Sequence, residues 1–147
     1  MTLKEQLMQD LKESMKAKDS IKKSVVTLIK AAIKQVEVDS RIELKDEDIL
    51  EIISKQLKQR REALAEFEKS DREDLISQTK KEIEILLSYL PKQLSAEELE
   101  ALVKEAIQAV SAESKKDMGK VMGYVMPKVK GKADGKQINA IASKLLK

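Results

Sequence analysis

The chain contains no cysteine and no histidine among its 147 residues. Their absence excludes disulfides, thiol nucleophiles, Ser-His-Asp triads and zinc sites built from the usual ligands. It also fits a reducing compartment. Aromatic residues number three, Phe67, Tyr89 and Tyr124. They are too few and too scattered to form the ring platforms on which single-stranded nucleic acids stack. With so few rings, a core must be aliphatic and filled in by methionine. Glycine and proline are confined to the last part of the chain, with four glycines from Gly119 onward and two prolines, Pro91 and Pro127. No run approaches the ~18 apolar residues of a membrane span. The N-terminal MTLKEQLMQDLKESM has no apolar signal region and is acid-rich for a transit peptide. Together these absences lead to the expectation of a cytoplasmic, soluble protein that needs no cofactor and no metal.

Charge is abundant, at 37% of residues, with a net charge of only +3. Its distribution is uneven. Residues 1–92 hold 19 basic and 19 acidic side chains, residues 95–114 hold one against five, and residues 115–147 hold nine against two, a local net charge of +7. A positive field concentrated in the last third points to an anionic partner there.

The scarcity of glycine and proline before residue 91, with helical spacing of apolar positions, predicts an all-α chain. Leu3, Leu7, Leu11 and Met15 mark a helix over 3–18. Ile21, Val25, Ile29 and Ile33 mark a second over 20–38, capped by Asp19 or Ser20. The short interruption between them predicts an antiparallel hairpin. Asp46 is the expected N-cap of a third helix reaching about Lys69, and a fourth covers about Arg72 to Leu90. The polar middle of that fourth helix, Ser77 to Glu82, is expected to be exposed or to meet a partner. Pro91 stops it, and Ser95 with Glu98 opens the next as a capping box. That punctuation predicts two domains, 1–91 with long helices and 92–147 with three short ones: Ala96 to Val110, Asp117 to Lys130 and Asp134 to Leu146.

The stretch from Asp117 to Asn139, DMGKVMGYVMPKVKGKADGKQIN, holds all four glycines. Met118, Val121, Met122, Val125 and Met126 read as a core face. Gly119 and Gly123, four apart, share a helix side and leave a shallow strip for a backbone or a flat partner. Pro127 ends or kinks this helix near Met126. Gly131 is suited to a left-handed turn, and Asp134 with Gln137 forms the capping box of the last helix. Lys128, Lys130, Lys132 and Lys136 surround this break. They make either an ordinary solvated turn or a phosphate-binding surface, and in the second case the lysines carry the binding, because Asp134 already occupies the helix end. The segment is no nucleotide loop: three residues instead of four separate its glycines, Gln137 stands where Ser or Thr would hold magnesium, and no strand precedes it. A second basic run, KQLKQRRE, places Lys55, Lys58, Arg60 and Arg61 on the third helix, as a solvated face or a secondary nucleic-acid patch.

YLPKQLS (Tyr89 to Ser95), DMGKVMG (Asp117 to Gly123) and MPKVKGKADG (Met126 to Gly135), followed by Ile138 and Asn139, closely resemble the YqeY proteins from end to end. The region after Pro91 is also similar to the C-terminal tail of the B subunit of the glutamine-dependent tRNA amidotransferase, where the tail contacts tRNA. The resemblance implies an all-α, multihelical fold of long N-terminal helical hairpins and a compact three-helix tail. It marks Gly119, Lys120, Gly123, Lys128, Lys130, Gly131, Lys132 and Gly135 as candidates for the RNA-facing surface, and the lysine cluster around the turn adds Lys136 to that set. The chain departs from the family pattern at Thr27, usually arginine, at Lys45, commonly a Ser or Thr cap, and at Asp71, often glycine.

The functional expectation is an accessory protein for tRNA or another folded RNA, recognising shape and phosphate. The resemblance also implies carbon–nitrogen ligation with glutamine as amide donor, but no residue set here supports catalysis by this chain alone. A component active only with amidotransferase or translation partners, or a protein–protein module using the N-terminal helices, are the competing expectations.

Overall fold

Thr2 accepts the backbone N–H of Glu5, and Glu5 reaches back to the Thr2 N–H, so a capping box starts α1 (Leu3–Lys16). The computed structural model describes residues 1–146. Helix α1 stops short of the predicted Lys18 because that residue takes a left-handed backbone, φ 57°. The turn leads into α2 (Ser20–Ser40), capped by Asp19 through the Lys22 N–H. Helix α2 outruns its predicted end at Val38 and closes on left-handed Arg41, φ 54°.

Helix α3 (Asp46–Lys69) begins one residue earlier than its expected cap allowed. Lys45 occupies the N-cap position, and its N–H donates to the Asp48 carboxylate at 3.0 Å. Asp46 is the first helical residue, and its carboxylate accepts the Leu3 N–H of α1 at 3.2 Å. Three acids in the first turn of α3, Asp46, Glu47 and Asp48, complement the helix dipole. Asp71, φ 55°, turns the chain into α4 (Glu73–Tyr89).

Contacts within the chain fall into two compact units, Met1–Leu90 and Pro91–Lys147. In the first, α1 packs on α2 and α3 on α4, around Leu7, Val25, Val26, Ile29, Ile33, Ile49, Ile53, Leu57 and Leu86. Each such aliphatic side chain, once buried, contributes about 1.5–3 kcal/mol. The polar middle of α4 divides as its spacing requires. Ser77, Gln78, Lys80 and Lys81 are exposed, whereas Thr79 is buried and Glu82 meets Arg60 of α3.

In the second unit, Ser95 accepts the Glu98 N–H at 3.1 Å and opens α5 (Ala96–Ala109). A 3₁₀ turn, Lys115–Asp117, precedes α6 (Met118–Val125). Pro127 then shortens the predicted helix: α6 gives way to a 3₁₀ turn, Met126–Lys128. Helix α7 (Gly135–Leu145) completes the unit. Leu99, Val103, Ala106, Val121, Val125, Val129, Ile138 and Ala142 form its core. Among the described residues all regular structure is helical, and no helix is long and apolar enough to cross a membrane.

Candidate nucleic-acid interface

Gly131 sits at φ 77°, the left-handed backbone expected of it, and the chain reverses around it. The Val129 carbonyl, at the base of the reversal, accepts the N–H groups of Lys132 (2.7 Å) and Ala133 (3.2 Å). Asp134 then caps α7: its carboxylate takes the Gln137 N–H at 2.8 Å, and Gln137 reaches back to the Asp134 N–H at 3.4 Å. The end of α7 is thus occupied by its own carboxylate, so an anion arriving here meets side chains more than bare helix N–H groups. Lys130, Lys132 and Lys136 are all exposed around this turn. Gly135 lies in the first turn of α7, where an added Cβ would touch the methyl carbon of Met122 at 3.8 Å and that of Met126 at 3.9 Å.

Gly119 and Gly123 are exposed on α6, and a Cβ on either would meet nothing within 4 Å. The strip is therefore open and takes no part in helix packing within the tail unit. Of the predicted core face, Val121 and Val125 are fully buried and Met118 and Met122 are partly so, but Met126 is 40% exposed. Met126 belongs to the 3₁₀ turn that follows α6, and its thioether end lies with that of Met122 against Gly135.

Lys128 and Lys120 have acidic neighbours. The Lys128 ammonium donates to the Tyr124 hydroxyl at 2.9 Å and lies 4.1 Å from that ring's centre. The Tyr124 hydroxyl in turn donates to Glu105 of α5 at 3.3 Å. Tyr124 and, more weakly, Glu105 raise the Lys128 ammonium above its usual pKa. Lys120 stands 3.9 Å from the Asp117 carboxylate, which the Glu113 backbone N–H and then Ser114 hold below the usual carboxylate range. Lys128 thus leans toward α5, while Lys130, Lys132 and Lys136 cluster in sequence around the Gly131 turn.

The second basic run lies in the other unit. Lys55 and Lys58 are exposed, and Arg61 is half-buried. Arg60 forms an ion pair with Glu82 at 3.3 Å, both side chains under a fifth exposed. That pair fastens α3 to α4, and the charge of Arg60 is already matched.

Sequence reasoning missed the segment that backs the basic turn. Gln93 donates its side-chain amide to the carbonyls of Gly131 (2.6 Å) and Pro91 (3.2 Å). Leu94 donates its N–H to the Lys132 carbonyl at 3.0 Å. No spacing rule pairs positions 38 residues apart. The sole signal was that Gln93 falls inside the YLPKQLS motif.

The Yqey-like protein family matches residues 4–146, nearly the whole chain. The chain belongs to the YqeY family. This YqeY protein is 35% identical over 130 residues to altered inheritance of mitochondria protein 41, mitochondrial, of Kluyveromyces lactis, covering 82% of the chain and 70% of the relative. The protein of the same name from Pyrenophora tritici-repentis is 30% identical over 130 residues, covering 86% of the chain and 71% of that relative. The one from Eremothecium gossypii is 41% identical over 98 residues, covering 65% of the chain and 54% of the relative. All three are named as mitochondrial proteins, which overturns the expectation of a cytoplasmic location. Cysteine content and the lack of a long apolar run do not distinguish one reducing compartment from another, so composition had no means to assign the location.

Proposed function

We infer that this YqeY protein is a non-catalytic accessory that binds a folded RNA, tRNA being the first candidate, through the basic turn of its C-terminal unit. The observation that carries the reading is the exposure of Lys130, Lys132 and Lys136 around left-handed Gly131, in a region of nine basic and two acidic residues. The charge separation within the same unit supports it. Glu97, Glu98, Glu100 and Glu105 are exposed on α5, so that helix repels a phosphate path while the turn attracts one. The open strip at Gly119 and Gly123 adds a surface with no side chain beyond the backbone, to which a sugar-phosphate edge can come close. The scarcity of rings turns the mode away from base stacking and toward shape and phosphate recognition.

The reading is tested by crosslinking the protein to RNA in living cells and sequencing what is bound. Enrichment of tRNA or another structured RNA, lost when the lysines of the turn are replaced, is the expected result. Recovery of protein partners that resist nuclease treatment, with no enriched RNA, would replace this reading with a protein–protein module. Purified protein given glutamine, ATP and misacylated tRNA is expected to show no turnover alone, and turnover by this chain would sink the non-catalytic part of the proposal.

A further inference from the structure

The basic turn, closed internally by the Lys132 and Ala133 N–H groups on the Val129 carbonyl, is also held by a segment distant in sequence. Residues Pro91–Leu94 run behind it as a strap, and every polar contact in that strap goes to a carbonyl oxygen. The Gln93 amide bridges Gly131 and Pro91, and the Leu94 N–H takes the Lys132 carbonyl. The Pro91 ring packs alongside, since a Cβ at position 131 would stand in ordinary van der Waals contact, 3.5 Å, with its Cγ and Cδ. Gln93 and Leu94 are half-buried, whereas Lys130 and Lys132, which flank Gly131, are exposed.

This arrangement has an electrostatic consequence. A turn offers carbonyl oxygens as well as side chains, and carbonyl oxygens repel phosphate. Here the oxygens of Val129, Gly131 and Lys132 are all engaged by N–H donors within the unit. We propose that Gln93 is a positioning residue for the RNA-contacting turn: its amide draws the Gly131 carbonyl inward and fixes the backbone so that the flanking lysines, and not the carbonyls, face the phosphates. The inference rests on the RNA reading for its ligand, but its structural half stands on the geometry of the strap. Gln93 touches no RNA in this account and acts only through Gly131 and Lys132.

The test uses the full chain and purified bulk tRNA. Gln93→Met keeps the length and volume of the side chain and removes both amide donors. Its tRNA affinity at low salt is expected to fall about three- to tenfold, the equivalent of one neutral hydrogen bond. The slope of log affinity against log salt should flatten by about one as a lysine loses its phosphate. A space-filling role would leave Met as good as Gln, so unchanged affinity and slope would overturn the proposal. A second measurement needs no variant. In the wild type without RNA, the Gln93 side-chain amide protons and the Leu94 backbone amide should exchange slowly with solvent. Exchange of the Gln93 amide at the rate of a free glutamine would overturn the proposal, whatever the variant does and even if the variant does not fold. A wild type that binds no tRNA at any salt, with Gln93 and Leu94 protected, would remove the RNA reading and leave the strap in place.

Discussion

The Tyr89 hydroxyl donates a hydrogen bond to the Asp10 carboxylate, tying the last residue of α4 to α1 across 79 positions of sequence. Tyr89 is only 7% exposed, and Asp10 is half-buried. Burial first, then the hydrogen bond to Asp10 and the charge of that carboxylate, raise the Tyr89 phenol well above its usual pKa. The bond requires the proton on Tyr89, so its stabilisation is fully present below the unfolded-state pKa of about 10 and is lost as pH rises through the higher folded value. Tyr89→Phe should cost about 1.5–3 kcal/mol at neutral pH, as for a hydrogen bond to a charged acceptor. Denaturant melts of both proteins from pH 7 to 11 should show this difference shrinking above about pH 10. A difference that stayed constant or grew with pH would show that the hydroxyl is not the donor.

Lys45 stands at the N-cap of α3 with no side-chain bond to the helix. Lys45→Ser adds an acceptor for the orphan N–H groups there and should stabilise the protein by about 0.5–1 kcal/mol. Thermal melts measure this directly. An unchanged or lower melting temperature would mean that the acids Asp46, Glu47 and Asp48 already satisfy that helix end.

Asp71 turns α3 into α4 at φ 55°, a conformation that any residue with a Cβ adopts at a cost. Asp71→Gly should raise stability by about 0.5–1 kcal/mol, and Asp71→Val should lower it by more than that. Equal stabilities of the Gly and Val variants would show that the turn opens in solution.

These examples separate what was legible in the sequence from what was not. The all-helical fold, the break before α5, the left-handed Gly131 and the Asp134–Gln137 capping box rest on rules that act within a few residues, and local spacing exposed them. Tyr89 with Asp10, Arg60 with Glu82, and Gln93 with Gly131 join positions 79, 22 and 38 residues apart. Each is polar and belongs to no periodic pattern, so only the packed chain reveals it. The errors at Lys18, Ser40 and Asp46 lie at helix ends. There, left-handed residues and caps shared between helices decide the boundary, and apolar periodicity is silent about both.

The glycine strip gives a prediction that separates binding from folding. Since a Cβ at Gly119 or Gly123 meets nothing within 4 Å, Ala at either position should stabilise α6 by up to ~1 kcal/mol. Gly123→Leu should keep the wild-type circular dichroism and melting temperature while it weakens tRNA binding. A variant that melts early but binds normally when folded would place the glycines in a packing role.

The most direct test of RNA binding through the basic turn is the salt dependence of tRNA affinity. Each phosphate neutralised contributes about −0.9 to the slope of log affinity against log salt on duplex, and about −0.7 on single strands. The account predicts weak binding that falls steeply from low to physiological salt. Lys130→Ala/Lys132→Ala should flatten the slope by roughly one to two units and leave the preferred RNA unchanged, because phosphate contacts position without specifying. Lys12→Ala/Lys16→Ala, exposed on α1, should leave both slope and affinity as they were. If the Lys130/Lys132 variant keeps wild-type affinity and wild-type slope, the turn does not contact RNA and the account is contradicted.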